Sequence, residues 1–180
     1  MPSREEAADH AGVRIALATV DDLPEVLRVQ HAAFRRVARE VGIPPESMPP
    51  VAETLDDLVA LPAAGVRTLV AIDGERIVGT VRTKVRDDGV AEIGRLAVDD
   101  GAERRGIALA LMLAVESDRP MTTRFELYTG AGAAGPIALY ERLGYRIFLR
   151  EQFERWEMVW LAKDRPVPTA AEDAPLHWQA

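Results

Sequence analysis

One segment near the middle of the chain constrains the fold most, because it predicts a strand, a short loop and a buried helix in succession. The run 90–98 has the composition of a strand, and the run 107–116 is a helical segment that is apolar on most faces. Gly106 stands at the helix start, where unpaired N–H groups and the helix dipole favour an anion. Arg104 and Arg105 add positive charge beside it. The segment predicts an anion site, and a plain strand-loop-helix with two solvated arginines is the alternative.

The remaining segments predict an α/β chain of order β-α-α-β-β-β-α-β-α-β-β. The runs with strand composition are 13–19, 66–72, 76–85, 90–98, 125–129, 145–149 and 158–162. The runs with helical spacing or helix boundaries are the segment after Thr19 or Asp21, 54–61, 107–116 and the segment from Pro136 to Gly144. Asp73-Gly74 lies between two of the strands and predicts a hairpin.

The length of the chain predicts one domain. The absence of cysteine and of a membrane-spanning run makes the cytoplasm the expected location. The chain has 180 residues, no cysteine and a net charge of −7. We expect a flexible leader over 1–12, a single domain over 13–163 and a C-terminal tail over 164–180. No apolar run is long enough to cross a bilayer, so no membrane partner is predicted. The acidic charge argues against nucleic acid and is compatible with a protonated amine as substrate.

Two motifs resemble the GCN5-related N-acetyltransferase family. Leu96-Ala97-Val98-Asp99 followed by Arg105-Gly106-Ile107-Ala108 is similar to the family's motif A, a strand end and a phosphate-binding loop. Ile137 to Tyr145, with the sequence IALYERLGY, is similar to motif B. The two motifs have the family's order and spacing, and the resemblance covers about 13–163. It implies an α/β fold with a central mixed, mostly antiparallel twisted sheet of about seven strands. About four helices flank that sheet, and its central strands splay apart.

The sequence departs from the family pattern in the phosphate-binding loop. Glu103 stands where glutamine or arginine is usual, and Arg104 replaces a frequent glycine. An acid beside a pyrophosphate weakens binding unless it points outward. The asparagine that is common before motif B is missing near Ala133.

The resemblance implies acetyl-CoA as co-substrate, with no metal. The residues implied to bind it are Leu96, Ala97, Val98, Arg104, Arg105, Gly106, Ile107, Ala108 and Leu109. Backbone groups of Leu96 and Val98 would bind pantetheine and polarise the thioester, and the amides from Arg104 to Leu109 would hold the pyrophosphate. The implied reaction is direct attack by a primary amine of a small molecule or peptide in a ternary complex.

Two residues are the predicted catalytic groups. Tyr140 matches the family tyrosine that commonly protonates the departing thiolate, and a packed aromatic is its alternative role. Glu92 is the candidate base, read as lying in phase with Gly94, Leu96 and Val98 along its strand. Alternatively, Glu92 is only a solvated acid, and ordered water acts as the base. His31 and Phe34 are candidates for the acceptor groove.

Two other functions stay open. A non-catalytic acyl-CoA-binding or interaction module on the same fold is the main alternative, and the altered phosphate loop supports it. A nucleotide-binding α/β protein is a third reading. A homodimer is left open, and Trp178 in the tail is a candidate contact for a partner chain.

Overall fold

The computed structural model describes residues 6–10, 12–153 and 156–166. In that part of the chain, eight strands form one sheet of order β1-β2-β3-β4-β5-β6-β8-β7. The strands are β1 (Glu6–His10), β2 (Val13–Leu17), β3 (Val66–Asp73), β4 (Arg76–Val85), β5 (Ala91–Val98), β6 (Arg124–Gly130), β7 (Arg146–Gln152) and β8 (Glu157–Asp164). All neighbouring strands pair antiparallel except β5 and β6, which are parallel. The predicted mixed, mostly antiparallel sheet is confirmed.

Helices cover both faces of the sheet. They are α1 (Leu23–Val41), α2 (Pro49–Ala52), α3 (Leu55–Ala60), α4 (Ile107–Asp118) and α5 (Ala134–Arg142). Thr19 and Asp22 form a capping box ahead of α1, and Gly42, at φ 71°, ends it. No helix among the described residues is both long and apolar enough to cross a membrane.

Local boundaries differ from the sequence prediction in three places. Glu6–His10, within the segment predicted to be a flexible leader, pairs antiparallel with β2, because the edge of β2 offers unpaired backbone groups. Helix α5 begins at Ala134 instead of Pro136. The short helix α2 was not predicted, since its sequence, PPVA, has two prolines and is too short to show a period. Most of the predicted tail, including Trp178, lies outside the described residues.

Two apolar clusters lie on opposite faces of the sheet. The first cluster joins α4 and α5 to sheet residues such as Ile93 and Phe125. The second cluster joins α1 and α3 to sheet residues such as Val70 and Ala97. The side of the sheet on which a residue of β5 lies therefore follows from the cluster that it joins.

Candidate active site

The central strands β5 and β6 separate soon after they begin. Their parallel pairing is limited to Ala91 with Phe125 and Glu92 with Glu126. Beyond Glu92, β5 pairs only with β4, and β6 continues along β8. The edge of β5 that carries Leu96, Ala97 and Val98 therefore faces a gap. An extended ligand with amide groups can add to such an edge as a strand does.

The gap is followed by a helix start that can bind an anion. Gly106 precedes α4 at φ 81°, a left-handed conformation that glycine adopts without a Cβ clash. No side chain of the described residues caps this helix, so the first amides of its opening turn are available to a ligand. Gly106, Ile107, Ala108 and Leu109 are among the residues predicted for this role, and α4, which begins at Ile107, is twelve residues long.

The charges around this loop are arranged so that its acidic residues are paired. Arg36 of α1 forms ion pairs with Glu103 and Asp100. The negative charge of Glu103 is therefore compensated by α1. Arg105 pairs with Asp73 at 2.7 Å, and Arg104 stands at φ 59°. The backbone conformation of Arg104 explains why a glycine suits this position.

A β-bulge in β5 corrects one sequence inference. Arg82 of β4 opposes Gly94 and Thr80 opposes Ala97, so Arg95 and Leu96 together oppose one residue of β4. The alternation of side chains between the two faces of the sheet is interrupted there. Leu96 and Val98 pack on the first cluster, as Ile93 does, so Glu92 and Gly94 lie on the opposite face. The inference that Glu92 is in phase with Leu96 and Val98 is wrong.

Glu92 lies where β5 and β6 are still paired. Its side chain is 52% exposed and accepts a hydrogen bond from Arg86 at 3.1 Å. Arg86 also binds Glu126 at 2.9 Å and Asp88 at 2.8 Å. Glu92 is thus half exposed on the α1 face and is held by an arginine.

Tyr140 lies on α5 in the first cluster and is 8% exposed. Burial raises the pKa of Tyr140 to about 12, so the phenol keeps its proton at neutral pH. Its ring meets that of Tyr145 edge-on, with the centroids 6.2 Å apart. Tyr145 donates a hydrogen bond to Glu116 at 3.1 Å, whereas no described residue pairs with the hydroxyl of Tyr140. The Tyr140 hydroxyl is thus a donor without an internal acceptor.

The α1 face holds a charged cluster that sequence reasoning missed. Glu53 accepts hydrogen bonds from Arg82 at 2.8 Å and from Arg95 at 2.6 Å. Gln30 bridges Glu53 and Arg82, and the carbonyl of Glu53 lies 3.0 Å from Nε2 of His31. Burial raises the pKa of Glu53, but hydrogen bonds from Arg95, Gln30 and Arg82 outweigh it and hold the pKa below its usual value. The predicted groove residue Phe34 packs on the second cluster.

Comparison with known proteins adds a family match. Residues 26–145 match the profile of the Acetyltransferase (GNAT) family, which is two thirds of the chain. No curated protein matches the chain in sequence.

Solved structures share the fold at low sequence identity. The ribosomal-protein-S18-alanine N-acetyltransferase of Escherichia coli superposes with a TM-score of 0.69 at 18% identity, covering 89% of this chain and 97% of its own. The PaiA N-acetyltransferase of Thermoplasma acidophilum, in complex with coenzyme A, gives a TM-score of 0.71 at 16% identity, covering 84% of this chain and 98% of its own. A ribosomal-protein-alanine N-acetyltransferase of Brucella melitensis gives a TM-score of 0.66 at 22% identity, covering 83% of this chain and 98% of its own.

Proposed function

Because the chain belongs to the GNAT acetyltransferase family, we propose that it transfers an acetyl group from acetyl-CoA to a primary amine. The observation that carries the proposal is the gap between β5 and β6, which leads to the uncapped start of α4. When bound, acetyl-CoA supplies the thioester that the amine attacks. The free edge of β5 at Leu96 and Val98 suits the amides of the pantetheine arm.

The phosphate groups would be bound at the start of α4. The amides of Gly106 to Leu109 point their donors to the same place, and Arg104 and Arg105 supply positive charge. Arg36 reduces the repulsion from Glu103 by pairing with it. This arrangement supports anion binding despite the departure from the family pattern.

Two side chains are assigned to proton transfer. Tyr140 holds its proton at neutral pH and would donate it to the departing thiolate. Glu92, on the α1 face, would accept a proton from the ammonium form of the acceptor, directly or through water. Since the chain has no cysteine, a cysteine acyl-enzyme is excluded and direct attack in a ternary complex is preferred.

The acceptor is proposed to be a small molecule or a peptide. The Escherichia coli and Brucella melitensis neighbours act on ribosomal-protein alanine, as their names state, and this supports a peptide amine. Such an amine would approach the thioester from the α1 face.

The test is calorimetric titration with acetyl-CoA, CoA and ADP, followed by CoA-release assays over a panel of amines. We expect binding that requires the pantetheine arm, and turnover that falls by about 100-fold or more in Tyr140→Phe. Tyr145→Phe is the matched control, because it removes a neighbouring buried phenol that already has an acceptor.

Two outcomes would contradict the proposal. ADP binding as tightly as CoA would favour a nucleotide-binding protein. Tight binding of acetyl-CoA, with no acetyl transfer to any amine of the panel, would favour the non-catalytic binding module.

A further inference from the structure

The cluster formed by Gln30, Glu53, Arg82 and Arg95, here called the α1-face cluster, carries an excess of positive charge. Two guanidinium groups share one carboxylate: Arg82 binds Oε2 of Glu53, and Arg95 binds Oε1 through Nε at 2.9 Å and Nη2 at 2.6 Å. Gln30 is neutral. The cluster therefore has one uncompensated positive charge.

Neighbouring titratable groups do not neutralise this charge. Glu92 lies on the same face, but Arg86 holds it. His31 contacts only the backbone carbonyl of Glu53, and it adds no negative charge. Arg82 is 6% exposed, and burial lowers its pKa, yet a guanidinium stays protonated in proteins. A positive charge that is removed from water in this way is stabilised by an anion.

Arg95 is the member of the cluster that a ligand can reach. Its side chain is 22% exposed, and its Nη1 has no hydrogen-bond partner among the described residues. It stands at φ 56°, in the left-handed region that a long side chain rarely adopts. Such strain persists where the surrounding structure holds it, often at ligand sites.

Open space adjoins Arg95 on the same face. Gly94 opposes Arg82 across the sheet, so a Cβ at position 94 would point to the α1 face. Apart from Gly94 itself and its chain neighbours Ile93 and Arg95, no described residue has an atom within 4 Å of that Cβ position. The surface at Gly94 therefore leaves space for a substrate beside Arg95.

We propose that the acceptor is an amine that also carries a carboxylate, which Arg95 binds, while Glu53 and Arg82 position the guanidinium. The inference rests on the proposed function, which puts the reacting thioester at the backbone of the adjacent Leu96. Arg95 and Leu96 are adjacent in β5, so the carboxylate and the amine of the substrate would lie within the reach of one arginine side chain. A free α-amino acid fits this chemistry, and so does a peptide whose N-terminal residue has an acidic side chain.

The same cluster disfavours polyamines. A second ammonium group beside the cluster would meet the positive charge of Arg95, and Glu53 would not compensate it, because Arg82 and Arg95 already bind that carboxylate. Like charges at short range act against the wrong substrate.

The experiment uses the full chain saturated with CoA and titrates reaction-product probes by NMR. One pair is N-acetylglycine and N-acetylglycinamide, which tests a free α-carboxylate. The other pair is the amides of N-acetylglutamate and N-acetylglutamine, which tests a side-chain carboxylate in a peptide. We expect the acid of at least one pair to bind about tenfold or more tighter than its neutral partner.

Variants assign the preference to Arg95. Arg95→Gln should remove the difference between acid and amide, and Arg95→Lys should keep part of it, because the charge remains without the planar fork. Arg150→Gln is the control for loss of a positive charge, since Arg150 pairs with Glu157 on the far strands β7 and β8. CoA binding, measured on each variant, reports whether the fold is retained.

The outcomes separate this inference from the proposed function. If the unmodified chain does not bind CoA, the proposed function is overturned. Normal CoA binding with equal or undetectable binding of acids and amides would overturn the carboxylate inference alone. An acid preference that survives in a folded Arg95→Gln would also overturn it.

Discussion

Two arginines, Arg95 and Arg104, adopt the left-handed conformation, with φ of 56° and 59°. For a residue with a Cβ this conformation costs about 1 kcal/mol. Arg95 belongs to the α1-face cluster that is proposed to bind the acceptor, and Arg104 precedes the proposed anion site. In both places the strained backbone belongs to a residue whose guanidinium faces a proposed ligand. The sequence shows that an arginine replaces a frequent glycine at position 104, but the φ value is visible only in the structure.

Substitutions at Arg104 separate strain from charge. Arg104→Gly and Arg104→Ala both lose the guanidinium, whereas only glycine relieves the left-handed strain. We expect Arg104→Gly to be more stable than Arg104→Ala by about 1 kcal/mol in urea unfolding. Acetyl-CoA affinity, measured by calorimetry, should fall equally in both. Equal stabilities would show that this backbone conformation carries no strain, and unchanged affinity would exclude Arg104 from the donor site.

The elements were predictable where the signal is local. The β-branched strands on either side of Asp73-Gly74 and the apolar helix α4 appear as predicted, because composition and period report them directly. The bulge at Arg95 arises from pairing with β4, so a strict period of two gave the wrong face for Leu96 relative to Glu92. The α1-face cluster was missed because Glu53 lies 29 residues from Arg82 and 42 from Arg95. Only the assembled sheet and the packing of α2 against α1 bring them together.

Packing between β4 and α4 predicts a sensitive glycine. A Cβ on Gly79 would lie 3.0 Å from Cγ2 of Ile107, 3.0 Å from Cδ1 of Leu111 and 3.3 Å from the carbonyl oxygen of Ala97. Ile107 and Leu111 are buried and have little room to move. We expect Gly79→Ala to lower the free energy of unfolding by about 1 to 3 kcal/mol.

Gly94 supplies the matched control for Gly79. It lies on the adjacent strand β5, and a Cβ there meets nothing within 4 Å. Gly94→Ala should therefore be neutral or slightly stabilising, because alanine restricts the unfolded chain more than glycine does. Urea unfolding of both variants checks the contrast. A Gly79→Ala protein as stable as Gly94→Ala would mean that α4 shifts away from the sheet at little cost.

At the scale of the whole molecule, α1 connects the two halves of the proposed site. Arg36 holds the acids of the anion loop, and Arg28 binds Asp99 at 3.3 Å. Between Arg28 and Arg36 on the same helix, Gln30 joins Glu53 and Arg82. The net charge of −7 therefore describes the molecule and not the α1-face cluster, in which two arginines share one carboxylate. The net charge of a sequence cannot show such a local excess of positive charge, since that excess depends on which residues the fold brings together.

The ion pairs of Glu53 make stability depend on acid pH. The folded pKa of Glu53 is lowered from its usual 4.5, so near that pH the unfolded state binds more protons than the folded state. The stabilisation is fully present above pH 4.5 and is lost as pH falls through the folded pKa. Glu126 shifts in the same direction: burial raises its pKa, but hydrogen bonds from Arg124 and Arg86 outweigh it.

Glu53→Gln tests this dependence, with Glu151→Gln, on the exposed surface of β7, as the control for loss of a negative charge. We expect Glu53→Gln to be less stable than the unmodified chain by about 1 to 3 kcal/mol at pH 7, because two guanidinium groups lose their shared partner. Below the usual pKa of the carboxyl that difference should shrink, since the protonated acid no longer pairs with either arginine. Urea unfolding from pH 7 to acid pH measures it. A difference that stays constant across the series would mean that the hydrogen bonds of Gln30, and not charge, hold α2 against the sheet.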